Sequence, residues 1–218
     1  MKIHIKQGRV IDPTSDRDEI TDIFIEKQLI SSIGLPPKGF KADHIIDLSG
    51  KLVTAGLFDV QCRVREPGYT HKASIASETR AAAHNGITSL CIPPDSNPVT
   101  DNSAVVELIH HANHKAGNRC HIYTIGAISK GLEGDQLSNM GTLKKTGCIA
   151  VSNALNPFSN NLVQRRAMEY AAGQGMLVVI QPYDKALYAN GCAHEGALTT
   201  RLGLPPIPEA AETAALAK

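Results

Sequence analysis

From Leu57 onward the chain alternates short apolar runs with helix-length amphipathic segments, and this alternation constrains the fold more than any other feature of the sequence. A strand covered on both faces reads as a continuous apolar run, and joining it to a parallel neighbour takes a crossover of helical length. The pattern therefore predicts successive βα units on a parallel sheet. Strands are expected at Leu57–Cys62, Ile87–Ile92, His121–Gly126, Cys148–Ser152 and Met176–Ile180. Helices are expected at Ser74–His84, Ser103–Lys115, Asp135–Lys145 and Leu162–Ala172, stopped by Asn85-Gly86, Gly117, Gly147 and Gly173, and a further helix begins near Pro208. Residues 1–55 read differently. Ile3 and Ile5 alternate with polar neighbours, Gly8 and Asp12-Pro13 mark turns, and Ile20–Ile25 and Leu29–Ile33 are β-rich, which predicts a small β module.

Length decides how much of such a fold fits. An eight-stranded (β/α)8 barrel takes about 250 residues; this chain has 218, of which roughly 160 follow the β module. Residues 56–218 are thus expected to form either an open α/β sheet or the first part of a longer barrel. Residues 209–218 are good helix formers without a stop signal, which favours an interrupted chain.

With 22 basic and 21 acidic residues the net charge is +1, giving no electrostatic reason to expect nucleic acid or an anionic membrane as partner. No run approaches the roughly 20 apolar residues of a membrane helix, and Met1–Gln7 lacks the continuous apolar stretch of a signal peptide, so a cytoplasmic location is expected. Cys62, Cys91, Cys120, Cys148 and Cys192 are odd in number, mostly lie in apolar runs and include no CxxC pair. They read as reduced thiols rather than as disulfides or a zinc cluster.

Several separate motifs occur in order. Gly8-Arg9-Val10-Ile11-Asp12-Pro13 is followed by Gly50-Lys51-Leu52-Val53-Thr54-Ala55-Gly56-Leu57-Phe58-Asp59, which together resemble the opening of amidohydrolase-superfamily enzymes. Val64-Arg65-Glu66-Pro67-Gly68, Lys72 and Asp95-Ser96-Asn97-Pro98-Val99-Thr100-Asp101-Asn102 are similar to the dihydroorotases within that superfamily. The resemblance runs on through Gly203-Leu204-Pro205 and so covers nearly the whole chain. It implies a (β/α)8 TIM barrel, with only the first five to six βα units present, and an N-terminal β-sandwich piece over residues 1–55.

In enzymes of this family zinc activates a water that attacks a cyclic amide, which needs lone-pair donors converging at strand ends. The resemblance implies His-x-His at the end of the first barrel strand, where this chain has Gln61 and Arg63. It implies an aspartate after the fourth strand, where Asn153 stands, and a histidine after the fifth, where Gln181 stands. Glutamine and asparagine offer only weak neutral oxygens, and arginine is a permanent cation with no acceptor. A guanidinium 4 Å from a divalent ion, at an effective dielectric near 20, is repelled by about 8 kcal/mol. No metal is therefore expected at these degenerate positions. Arg65 matches the arginine that would hold a substrate carboxylate, a task suited to its forked donors. The neighbouring asparagine is replaced by Asp95, which should repel such a ligand, so the substrate-binding pair reads as vestigial and an ion pair of Arg65 with Asp95 or Glu66 is expected.

Other chemistry-bearing residues have plainer readings. His110, His111 and His114 share one predicted helix and read as a solvated polar face; His71 and His194 are the histidines closest to the predicted mouth of the barrel, and His71 has no acidic or thiolate partner beside it. Strand alternation points Cys62 away from the Gln61 and Arg63 positions, into the layer between sheet and helices. Neither a Gly-x-Ser-x-Gly elbow nor a Gly-rich phosphate loop is present. The resemblance then implies a non-catalytic dihydroorotase-like subunit without a cofactor, associated in an oligomer with the aspartate transcarbamoylase catalytic chain of pyrimidine biosynthesis. The competing expectations are an active zinc-dependent dihydroorotase or related cyclic amidohydrolase acting on dihydroorotate or carbamoyl aspartate, and a barrel using Arg65 as a carboxylate sensor.

Overall fold

A computed structural model describes residues 1–158 and 160–217, which fall into two compact units, Met1–Gly56 and Leu57–Lys218. The first unit is a single mixed sheet of β1 (Lys2–Asp12), β2 (Arg17–Glu26), β3 (Leu29–Ile33), β4 (His44–Asp47) and β5 (Leu52–Val53). The hairpins β1–β2 and β2–β3 are antiparallel, while β4 and β5 both run parallel to β1. The register of β1 on β2 shifts between Ile5 and Gly8, with Gln7 at a left-handed φ of 53°. Gly8 is required there, because a Cβ would sit 2.5 Å from Val53 Cγ2. Val10, Ile23 and Phe24 are buried, and His4 stacks on Phe24 at 4.4 Å while its Nε2 lies 2.7 Å from Asp22 Oδ2.

The second unit carries five parallel strands, β6 (Leu57–Asp59), β7 (Ile87–Ile92), β8 (His121–Ala127), β9 (Cys148–Ser152) and β10 (Leu177–Val179). Their spatial order follows the sequence without reversal, as in a singly wound barrel and unlike a doubly wound open sheet. One face is covered by α1 (Ile75–His84), α2 (Ser103–Lys115), α3 (Met140–Thr146) and α4 (Asn161–Gly173). Two apolar clusters fill that layer. Val64, Ile75, Leu90, Ile92, Ile109 and Ile122 form one; Val106, Ile128, Met140, Leu143, Val151 and Ala167 form the other. The inner face holds the smaller group Cys91, Ile125 and Ala150, with Tyr123 against it.

Each covering helix starts on a side chain suited to the purpose. Ser74 Oγ accepts from Ser77 N at 3.1 Å in a capping box, and Asn102, Asn139 and Asn160 accept from Val105, Thr142 and Val163 N. Asn139 explains why α3 begins at Met140 and not at Asp135 as expected. The preceding residues instead make a 3-10 turn at Lys130–Leu132 and a bridge between Ser129 and Leu137, and Ser138 Oγ donates to Ala127 O. The first strand is likewise shorter than expected: Asp59 Oδ1 accepts from Gln61 N at 3.0 Å and turns the chain. Gly147 ends α3 at φ 110°, whereas α4 runs through Gly173, and it is Gly175 that adopts a positive φ, 60°.

After β10 come α5 (Lys185–Tyr188), β11 (Ala193–His194), α6 (Ala197–Leu202), β12 (Pro206–Ile207) and α7 (Ala210–Leu216). β11 and β12 form a two-stranded parallel ladder. The sequence pattern anticipates only the last of these elements. Among the described residues no helix is long and apolar enough to cross a membrane. Leu143 is fully buried between α3, α2 and β9; Leu143→Ala is expected to lower the unfolding free energy by about 2–5 kcal/mol, measured by urea titration.

Candidate functional site

The C-terminal ends of β6, β7, β9 and β10 bring the substituted positions to one end of the second unit, spread over neighbouring cavities, with Gln181 lining one cavity with Gln61 and another with Asn153. Gln61 and Gln181, both exposed, line one cleft over the inner face together with Ile125 and Ser152. Arg63 belongs to a neighbouring cavity lined by Val64, Arg65, Tyr69, Asp95 and Ser96. There its Nε donates to Asp95 Oδ2 at 2.7 Å. Its Nη2 is enclosed and has no acceptor among the described residues.

Asn153 is buried in a side-chain network of its own. Ser129 Oγ donates to Asn153 Oδ1, Asn153 Nδ2 donates to Asn156 O at 3.0 Å, and Gly134 N donates to Ser129 Oγ at 2.9 Å. The amide oxygen thus holds the loop after β9 to the loop after β8, while the amide nitrogen braces the β9 loop internally. Ser129 is a functionally placed residue that sequence reasoning missed, since a serine in a turn-rich segment carries no signal of a partner so distant in the chain, and Asn156, only three residues on, contributes just its backbone carbonyl.

The expected partner of Asp95 is corrected by these contacts. Arg63, not Arg65, takes Asp95, and Glu66 Oε2 accepts from Ile75 N at the first turn of α1 at 2.7 Å. Arg65 is exposed, with no side-chain ion pair among the described residues. The reason is local: Arg65 adopts a left-handed φ of 63°, so strand alternation no longer governs where it points. The loops after β6 and β7 are packed closely at this point. Asn97 N donates to Pro67 O at 3.3 Å, and a Cβ on Gly68 would lie 2.2 Å from Asn97 O.

The histidines and cysteines supply no alternative centre. Cys62 packs against the helix-side core, and burial, with Asp59 and Glu78 nearby, pushes its thiol up to about 11, so little thiolate is present at neutral pH. His71, His111, His114 and His194 are exposed, and burial lowers the pKa of His110. Among the described residues no three His, Cys, Asp or Glu side chains gather so as to hold a metal ion. The donor set at the four substituted positions is two solvent-facing amides, one amide engaged at both ends and one guanidinium, and this set does not fit a divalent metal.

Solved structures define the class of fold. The chain is similar to the L-hydantoinase (dihydropyrimidinase) of Arthrobacter aurescens, with a TM-score of 0.71 and 16% identity over 86% of this chain and 42% of that one. It is similar also to the D-hydantoinase of a Thermus species, with a TM-score of 0.67 and 18% identity over 99% and 48%. These are amidohydrolase-type barrels, and at such identities the likeness concerns the fold. The family follows from sequence: the profile described as "Dihydro-orotase-like" matches residues 50–218, and the chain belongs to that family. A "Dihydroorotase-like protein" of Pseudomonas putida is 47% identical over all of this chain and 51% of its own length. A "Dihydroorotase" of Geobacter metallireducens is 42% identical over the same shares. The chain thus spans about half the length of the curated relatives it matches.

The Asn153 network makes a direct prediction. In Asn153→Asp a carboxylate oxygen would face the Asn156 carbonyl in place of a donor. Unfolding free energy is expected to fall by about 1–3 kcal/mol in denaturant titration, where a metal-ready position would tolerate the change.

Proposed function

We propose that the chain is part of a non-catalytic dihydroorotase-like subunit that supports aspartate transcarbamoylase in de novo pyrimidine biosynthesis, binding its catalytic chain in an oligomer and using no metal cofactor. The observation that carries this reading is Arg63: a guanidinium tied to Asp95 stands where a hydrolase of this fold needs a lone-pair donor. A cation at that point opposes a divalent metal, and with it the metal-activated water that hydrolysis of this kind requires. Asp95 beside it opposes an anionic substrate, and Arg65 is left in solvent without the neighbour that would complete a carboxylate clamp. A domain that keeps its core while its reactive end is rebuilt in this way is best explained by a role carried on its surface, as a support for another enzyme.

A second reading, favoured by the dihydroorotase name of relatives about 40% identical, is a zinc-dependent hydrolase acting on dihydroorotate or carbamoyl aspartate. The two readings separate when the full-length protein is mixed with an aspartate transcarbamoylase catalytic chain and passed over a sizing column. The proposal expects co-elution, a rise in transcarbamoylase activity and no turnover of dihydroorotate. Independent elution with unchanged transcarbamoylase activity sinks it, and turnover of dihydroorotate moves the hydrolase into first place.

A further inference from the structure

We infer that Arg63 and Asp95 are a coupled pair that stands in place of a bound cation and clamps together the ends of the first two barrel strands. The inference rests on the non-catalytic reading and adds to it what replaced the metal.

Position comes first. Cys62 N, in the loop after β6, donates to Cys91 O at 2.8 Å, so Arg63 lies level with the end of β7, and Asp95 lies three residues beyond that end. The two side chains therefore meet at the same end of adjacent parallel strands. Each is only 29–30% exposed, so water screens the pair less than it would at the surface.

The geometry is that of a clamp and not of a fully satisfied network. Asp95 holds Nε, while Nη2 is enclosed without an acceptor among the described residues. A guanidinium in this state depends on its one carboxylate, because removal of Asp95 would leave a half-buried positive charge without an ion-pair partner among the described residues, the cavity's other carboxylate, Glu66, being engaged by Ile75 N. The loops that the pair joins already touch backbone to backbone, through Asn97 N with Pro67 O and through the glycine-only contact of Gly68 with Asn97. A fixed positive charge bridging strand ends is what a ligated metal supplies in such a barrel. Here one arginine supplies the charge and one carboxylate supplies the ligand.

Contact between the two residues also joins two sequence departures into one. Arg63 without Asp95 would be an unpaired cation, and Asp95 without Arg63 an unpaired carboxylate, at an end of the barrel where neither has another partner of opposite charge within ion-pair distance among the described residues. Each residue is explained by the presence of the other.

The test is a double-mutant cycle in the full-length protein, read as melting temperature, with Arg63→Ala, Asp95→Ala and both together. Asp95→Ala alone is expected to lower the melting temperature by about 5 °C or more, and the double variant to lose less than the sum of the two single losses. Additive losses, or a melting temperature indifferent to Asp95→Ala, would overturn the pairing. Should an alanine variant fail to fold, the same cycle with Arg63→Gln and Asp95→Asn carries the same expectations. Coupling found in a protein that does not bind the transcarbamoylase chain would remove the proposed function and leave the pair. Absent coupling in a protein that does bind it would remove the pair alone.

Discussion

The second unit depends on one requirement: a parallel strand buried on both faces must have its helix-side surface covered, and the crossover helices that connect the strands are also what covers them. Ile75, Leu90, Ile109 and Ile122 meet in one part of that layer, and Val106, Leu143, Val151 and Ala167 in the other. Because all five strands run the same way, their C-terminal ends and the loops that follow gather at one end of the sheet. The substituted positions and their partners are located there, held by contacts of those loops: Glu66 on the first turn of α1, Arg63 on Asp95, Asn153 on Ser129 and Asn156.

The periodicity of the sequence carries the βα alternation well, because the apolar runs at Ile87–Ile92 and Cys148–Ser152 are the strands themselves, and Ser103–Lys115 is a helix over those same residues. It fails where a side chain competes with the backbone. Asn139 and Ser138 move the start of α3 by several residues, and Asp59 cuts the first strand short by accepting from Gln61 N. The segment between β10 and α7 holds short elements whose two-residue strands are below the length at which alternation can be seen.

The site was legible in residue type and not in connection. Gln61, Arg63, Asn153 and Gln181 could be singled out as poor donors from their chemistry alone. Which arginine would hold Asp95 could not, because that depends on the left-handed backbone at Arg65, a conformation that a non-glycine residue does not announce. The strands at the two ends of the sheet, β6 and β10, expose Leu57, Phe58, Leu177 and Val179. Apolar edges of this kind call for cover, whether by further chain, since the relatives are about twice as long, or by a partner.

As proposed, a guanidinium–carboxylate pair, and not a metal, organises this end of the barrel. Elemental analysis of the full-length protein, purified without chelators, incubated with excess zinc and freed of unbound ion, is expected to find zinc near zero per chain. Zinc at one or more ions per chain would contradict this and would make ligands of some of Gln61, Arg63, Asn153 and Gln181 or of residues near them.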